Sequence, residues 1–302
     1  MFDWLYQLLG LIMRLIYNLV QNFGVSIILF TLFVRVCMLP LVLKQQKSMA
    51  HMQKIQPALK EIQEKYQYDK DKLNAETVKL YQQNKINPMG SCLPLIVQMI
   101  VLFAVYAIIQ NPVTYILQTG GAGLKEAFEA LMQDNSHWSQ LDVSAWVSNN
   151  LTEAGNLLSG IGSEFTTDSF AMNFNFLGLN LGEKPGDMIA ANQIVYWIFP
   201  LVAALSTFLT SMISQKIANK AQGGEAASQM KTMQYIFPLM TGLFCYSLPA
   251  AMGLYWITGN ILQMIQSVTL DRYVVRKECK EIEVKAEQKR MERKEQKKKK
   301  KK

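Results

Sequence analysis

Cysteine and histidine are scarce in this chain of 302 residues, which has four of the first and two of the second. Cys37, Cys92 and Cys245 fall in or beside apolar stretches, so the sequence gives no sign of a disulfide framework. His51 and His137 are far apart in sequence, which argues against a metal site built on histidine.

Patterns that carry chemistry are also missing. The sequence pairs no nucleophile with a base, and it has neither a glycine-rich phosphate loop nor a metal-ligand spacing. We therefore predict a protein that is not an enzyme and that needs no cofactor.

Charge is low and unevenly spread. Only 18% of the residues are charged and 50% are hydrophobic, and the apolar blocks are separated from the charged ones. This separation is typical of a membrane protein with several spans, so the predicted fold is an all-α membrane protein with five transmembrane helices. The predicted spans are 24–43, 91–112, 192–213, 233–248 and 250–268. Between and around them we predict an interfacial helix at 1–23, a helical hairpin at 44–88, loops at 113–190 and 214–232, and a basic tail at 269–302.

The first span has a single charge. Ser26–Leu43 is just long enough to cross the hydrocarbon core, and Arg35 lies near its middle. A charge there costs from about 2.5 to more than 10 kcal/mol, depending on the scale. The other predicted spans contain no acidic residue to compensate it, so we expect a water-holding cavity with Arg35 on its wall. The alternative is that Arg35 extends to the lipid headgroups, but Lys44 is roughly 13 Å further along the helix.

The first 23 residues are amphipathic. Apolar side chains from Trp4 to Leu19 recur every three or four positions, interrupted by Gln7, Arg14 and Asn18. This spacing favours a helix lying in the membrane interface. A signal peptide is the alternative, but we find neither a charged start nor a small-residue cleavage site before Gly24.

The segment 44–88 contains nine lysines and five acidic residues. Its apolar residues from Met52 to Tyr66 step by three and four, and a second, weaker pattern runs from Leu73 to Tyr81. These patterns predict a helical hairpin outside the membrane, with a kink in its first arm at Pro57.

Polar residues within the later spans leave two interpretations open. Gln98 in the second span and the hydroxyl groups of Ser206 and Thr207 in the third suit helix packing as well as the lining of a cavity. The fifth span is more polar than packing requires, with Asn260 and Gln263 among its residues.

Basic residues set the predicted topology. Segment 113–190 has nine acidic residues against two lysines, and we expect a water-facing connector with short amphipathic pieces at 124–132 and 143–158. The hairpin, the 214–232 loop and the tail are basic, and the tail ends in six lysines. The positive-inside rule therefore places the N-terminus outside and the C-terminus in the cytoplasm.

Three functions are compatible with a membrane protein that has five spans and a hydrated arginine. A transporter would normally show paired repeats and a coupling carboxylate, and a channel would need several similar helices around a pore. A protein that helps other proteins enter the bilayer explains more of the sequence, because a polar slot shortens the path of polar segments through hydrocarbon. A small transporter or channel with a water-filled cavity stays as the alternative.

Several segments together resemble the YidC family of membrane protein insertases, over about 24–112 and 174–275. They are Leu39–Met49, Ile55–Pro57, Ile62–Tyr66, Asn87–Pro94 with Gln98, Phe176–Leu181, and Gly253–Trp256 with Asn260 and Gln266. The 113–190 loop is longer than the connector that this resemblance leads us to expect.

The resemblance implies a multi-pass insertase of the bacterial plasma membrane, with a hydrophilic groove that opens to the cytoplasm and to lipid. Its substrates would be nascent membrane proteins. The hairpin would recruit them, the basic tail would contact the translating ribosome, and the Sec translocon and the signal-recognition pathway are further candidate partners. The predicted groove residues are Arg35, Thr31, Gln98, Ser206, Thr207, Tyr255, Trp256 and Asn260.

Overall fold

The computed structural model describes residues 3–84, 93–132, 138–218 and 225–275. Most of these residues are helical. Most of the predicted tail, the glycine pair at 223–224 and most of the motif at 87–94 lie outside the described residues. The α-helices are α1 Asp3–Val20, α2 Phe23–Lys65, α3 Lys70–Gln83, α4 Leu93–Gln110, α5 Leu124–Met132, α6 Gln140–Asn149, α7 Leu151–Gly160, α8 Pro185–Ala190, α9 Ile198–Ala218, α10 Glu225–Ser247 and α11 Ala250–Leu270.

The chain divides into two units that are described separately. Unit 1 comprises Met1–Val36, Val97–Phe208 and Phe237–Leu262, and unit 2 comprises Cys37–Ile96, Leu209–Ile236 and Gln263–Lys302.

Two helical segments of the described chain are long and apolar enough to cross a membrane. They are Phe23–Ser48, with a mean hydropathy of 2.4, and Ile194–Lys216, with 1.7. A shorter apolar helix covers Ile96–Gln110. Amide side chains such as Asn260 and Gln263 make α11 less apolar than these segments, so composition and length alone do not identify it as a span.

Helix α2 is longer than the sequence analysis anticipated. A boundary was predicted between the span at 24–43 and the hairpin, but the helix continues unbroken from Phe23 to Lys65, with Pro40 and Pro57 inside it. The residues after Leu43 are Lys, Gln, Gln and Lys, which favour helix and give no stop signal. Polarity changes there while the backbone conformation does not.

Helix α1 packs in unit 1 through one side only. Leu9, Met13 and Tyr17 are buried, and a Cβ atom on Gly10 would lie 3.0 Å from Cβ of Tyr115. A second stripe of apolar residues is exposed. It consists of Trp4, Leu8, Leu11, Leu15 and Leu19. The structure thus contains the helix, while its place in the interface stays a prediction.

The acidic segment is more ordered than a connector. Eight buried residues form a hydrophobic core of its own, in which the short amphipathic pieces expected here pack together. They are Val113, Ala127, Leu131, Val143, Val147, Ala154, Leu158 and Phe170. Each short helix gives only two residues to this core, so no single stretch of sequence reveals it. Ser139 and Asp142 form a capping box that starts α6.

A small β-hairpin interrupts the helical fold, which the all-α prediction missed. Strands β1 (Asn175–Phe176) and β2 (Leu179–Asn180) pair antiparallel. The turn between them is Leu177–Gly178, with positive φ angles of 52° and 81°. Two positive φ angles in a two-residue loop match the twist of a tight hairpin.

In unit 2, the end of α2 and helix α3 form the two arms predicted from the sequence pattern. Met52, Ile55 and Leu59 are buried on α2. The Asp69 carboxylate accepts a hydrogen bond from the Lys72 N–H at 3.0 Å and so caps α3. Hydrogen bonds from Lys72 also lower the pKa of Asp69.

Candidate functional site

Three helices of unit 1 bring several of the predicted groove residues together. Thr31 and Arg35 lie four positions apart on α2 and so share one face of that helix. Gln98 comes from α4, and Tyr255 comes from α11. We call these four residues and Gly259 of α11 the arginine cluster.

The Arg35 guanidinium lies against α11. A Cβ atom built on Gly259 would be 3.4 Å from Nη2 of Arg35, which is ordinary van der Waals contact. The phenol of Tyr255, which is buried, lies near the Arg35 guanidinium. Carboxylates, water and the lipid headgroups were the partners considered for this cation, and the structure adds a nearby phenol.

A hydrogen bond joins the side chains of Gln98 and Tyr255. It links α4 to α11 next to the guanidinium. The two interpretations of Gln98, helix packing and the lining of a polar site, therefore apply together at this position.

Thr31 directs its hydroxyl away from the arginine. Its Oγ1 donates to the Ile27 carbonyl at 2.6 Å, and its Cγ2 methyl is 3.9 Å from the Cβ position of Gly259. A hydroxyl that donates to a carbonyl of its own helix has a hydrogen-bond partner when it is buried. Thr31 therefore shapes the wall beside Arg35.

A second polar group joins α9 to α11. The Asn260 amide donates to Oγ of Ser206 at 3.0 Å and to Oγ1 of Thr207 at 2.8 Å. All three residues are buried, and Ser206 also donates to the Ala203 carbonyl at 3.0 Å. We call these three residues the asparagine clamp. Their mutual bonds favour the helix-packing interpretation over direct cavity lining.

Trp256 lies elsewhere on α11. Its ring stacks on Phe244 of α10 with 6.5 Å between the centroids and 18° between the planes. Phe244 is 47% exposed, so this aromatic pair reaches the surface of unit 1. The pair is a large apolar contact surface one turn from Gly259.

Gly259 is the residue of this site that sequence reasoning missed. The available signal was a glycine inside an apolar helix, four positions after Tyr255, where glycine costs up to about 1 kcal/mol relative to alanine. Such a cost has a reason when another group approaches the backbone closely.

The chemistry of the site is that of binding. Among the residues that the structure describes, no group of histidine, cysteine or acidic side chains could hold a metal ion. The arginine cluster offers a cation and hydrogen-bonding groups of an amide and a phenol, which suit polar groups of an incoming chain.

Comparisons with known proteins match nearly the whole chain. The family described as "60Kd inner membrane protein" matches residues 15–278. A protein of Fusobacterium nucleatum named membrane protein insertase YidC is 29% identical over 88% of this chain and 94% of its own length. One of the same name in Caldanaerobacter subterraneus is 28% identical over 90% and 94%. Membrane protein insertase YidC 2 of Bacillus anthracis is 31% identical over 82% and 71%.

Proposed function

The chain belongs to the 60Kd inner membrane protein family, the family of the YidC insertases, and from this membership we propose that it inserts hydrophobic segments of nascent proteins into the bilayer. Five spans, α2, α4, α9, α10 and α11, would surround a hydrophilic groove that opens to the cytoplasm and to lipid. The arginine cluster would form the wall of this groove.

The observation that carries the proposal is the arginine cluster. A guanidinium cannot lose its proton at any relevant pH, so a site built around it stays polar. Arg35 belongs to the apolar segment Phe23–Ser48 and is only half-buried in unit 1. A cation placed in this way needs hydration or polar partners, and both suit the hydrophilic part of a substrate.

The proposed mechanism divides the substrate into two parts. The polar end occupies the groove beside Arg35 and Gln98, where hydrogen bonds replace those lost to water. The hydrophobic part moves along Trp256 of α11 into lipid. Transfer of about 20 apolar residues supplies the free energy, so no nucleotide is needed.

The asparagine clamp would act indirectly. Ser206, Thr207 and Asn260 hold α9 against α11 and so fix the helix that carries Tyr255 and Gly259. We assign these three residues to the groove as positioning residues.

Partners outside the membrane follow from charge and topology. We propose a bacterial plasma-membrane location with the N-terminus outside and the C-terminus in the cytoplasm. The hairpin formed by the end of α2 and by α3 would recruit substrates. The basic tail would bind the translating ribosome, and the Sec translocon and the signal-recognition pathway would be further partners.

Variants of Arg35 test the proposal in proteoliposomes with a single-span substrate that has a short acidic N-terminus. Arg35→Ala and Arg35→Glu are expected to lower insertion by roughly tenfold or more, since a hydrogen bond to a charged group is worth about 1.5–3 kcal/mol. Arg35→Lys should retain more activity than either. Arg272→Ala, at an exposed arginine, is the control. Full insertion by a folded Arg35→Ala protein would show that the charge is unnecessary.

A further inference from the structure

The turn of the β-hairpin places a leucine where glycine or asparagine is favoured. Leu177 has a φ of 52°, and its side chain is 87% exposed. Among residues with a side chain, asparagine and aspartate adopt this left-handed conformation most readily, and a leucine there raises the free energy of the folded state. The two-residue turn explains the positive φ angle, but it does not explain why the residue at this position is an exposed leucine, and a contact outside the protein would explain that choice.

The first strand is fixed to the start of α2. The Phe23 N–H donates to the Asn173 carbonyl at 2.9 Å, and the Asn22 side-chain amide donates to the Asn175 carbonyl at 2.9 Å. A Cβ on Gly24 would be only 2.4 Å from the Phe176 ring. These contacts place the first strand alongside the first turn of α2.

The second strand is fixed to the other long apolar segment. The Asn180 N–H donates to the Tyr196 hydroxyl at 2.9 Å. The two candidate membrane segments begin at Phe23 and Ile194. The hairpin is therefore attached at the beginnings of both segments, which is where the edge of the apolar layer lies.

The direction of the first strand gives the position of its tip. Asn173 contacts Gln21 and Phe23, and Phe176 contacts Gly24. The strand thus advances in the same direction as α2 enters its apolar segment, and Leu177 comes next. Leu177 lies in the turn with its side chain 87% exposed, so it does not share the packing of Phe176 against α2.

Electrostatic attraction to anionic lipid would not hold this region. Segment 113–190 carries nine acidic residues and two lysines. A contact with the bilayer here must therefore depend on apolar surface, and it should be insensitive to salt.

We propose that Leu177 at the hairpin tip inserts into the lipid interface and anchors the hairpin to the bilayer at the starts of α2 and α9. This inference requires only that the protein spans a membrane, and it is independent of the groove.

Fluorescence quenching by lipid tests the proposal in the full-length protein. The four native cysteines are replaced by serine, a single cysteine is placed at Leu177, and an environment-sensitive dye is attached. The protein is reconstituted into neutral phosphatidylcholine vesicles, with and without lipids brominated near the glycerol. We expect strong quenching that does not change with salt or with added anionic lipid.

Leu151, a 51% exposed leucine on α7, is the matched labelling position and should give little quenching. A dye at 177 quenched no more than the dye at 151 would overturn the proposal. Quenching by brominated lipid that falls as the density of reconstituted protein rises would also overturn it, because a second copy that covers the dye would exclude lipid.

A second measurement avoids the label. Leu177→Asn relieves the backbone and removes the apolar surface, whereas Leu177→Met keeps the surface. In lipid nanodiscs, amide hydrogen exchange over 174–180 should be several-fold faster in Leu177→Asn than in the native protein, and unchanged in Leu177→Met. Slower exchange in Leu177→Asn, from relief of strain alone, would contradict an anchoring role.

Discussion

At the scale of single residues, Gly259 sets how closely α11 approaches Arg35. Glycine has no Cβ atom, and one built at this position would lie 3.4 Å from the Arg35 guanidinium. An alanine fits at this distance, but the γ-carbons of a valine would overlap the guanidinium. The place of the charge thus depends on a residue that has no side chain.

Gly259→Val is expected to reduce insertion to the level of Arg35→Ala, because it displaces the guanidinium from α11. Gly259→Ala should keep activity and stabilise α11 by up to about 1 kcal/mol, since alanine is the better helix former. Thr258→Val, which also introduces a valine in this turn of α11, is the control.

A double variant distinguishes a loss of insertion caused by displacement of Arg35 from a loss caused by general disruption of the fold. If Gly259→Val acts through Arg35, adding it to Arg35→Ala should lower insertion no further. Additive losses in the double variant would mean that Gly259 acts independently of the charge.

Glu183 introduces a pH dependence outside the membrane segments. Burial, and to a smaller extent the negative charges of Asp142 and Asp187, raise its pKa above the ordinary value of 4.5. The folded state therefore favours the protonated carboxyl. This contribution to stability is fully present below the ordinary pKa and is lost as the pH rises through the raised one.

Glu183→Gln should therefore raise the Tm at pH 7 slightly and reduce the fall in Tm between pH 4 and pH 8. A glutamine oxygen can still accept the 3.3 Å hydrogen bond from the Asn180 amide. Thermal melts in nanodiscs measure both effects. Glu153→Gln, at an exposed glutamate of α7, is the matched variant, and equal changes in the two variants would count against burial as the cause.

Some site residues could be predicted from their chemical type, whereas the roles of others depend on geometry that the sequence does not show. Arg35 stands out as a charge in an apolar run, and Gln98 and Tyr255 are polar groups within other runs. Gly259 gives no such signal, because its role is to leave space. The pairing of Asn260 with Ser206 and Thr207 depends on how α9 lies against α11, which sequence spacing does not determine.

At the scale of elements, the apolar patterns predicted which segments are helical more accurately than they predicted where each helix ends. The amphipathic piece predicted at 124–132 is helix α5, and the piece at 143–158 is two helices, α6 and α7, that meet at Asn150. The helix does not end where the first span was predicted to end, because hydropathy changes at Lys44 while helix propensity does not. The hairpin of β1 and β2 was missed because two-residue strands are too short to show alternation.

The basic tail carries a prediction of its own, based on charge. Between 271 and 302 there are fifteen lysines and arginines against seven acidic residues. Truncation after Tyr273 should weaken binding to purified ribosomes, with the largest effect at low salt, because the attraction is to RNA phosphates. Replacing only the six terminal lysines by glutamine should give a partial loss. Ribosome affinity that is equal in all three proteins would assign the tail to solubility alone.

At the scale of the whole molecule, the chain combines an apolar set of helices with polar groups that are kept inside it. The arginine cluster and the asparagine clamp both belong to unit 1 and share α11. An insertase needs such a combination, because its substrate has a polar end that avoids hydrocarbon and an apolar part that prefers it. The resemblance in sequence and the matched family agree on this class of protein.

The proposed insertion mechanism requires that water reach the arginine cluster inside the membrane. Labelling of single cysteines with a water-soluble thiol reagent, in a cysteine-free protein in intact membranes, tests it most directly. One position is Gln98, whose side chain is hydrogen-bonded to Tyr255. The other is Phe103, which is 58% exposed on the same helix and should face lipid. The cysteine at 98 should be labelled rapidly, and the cysteine at 103 should not be labelled. Protection of both positions from the reagent would contradict it.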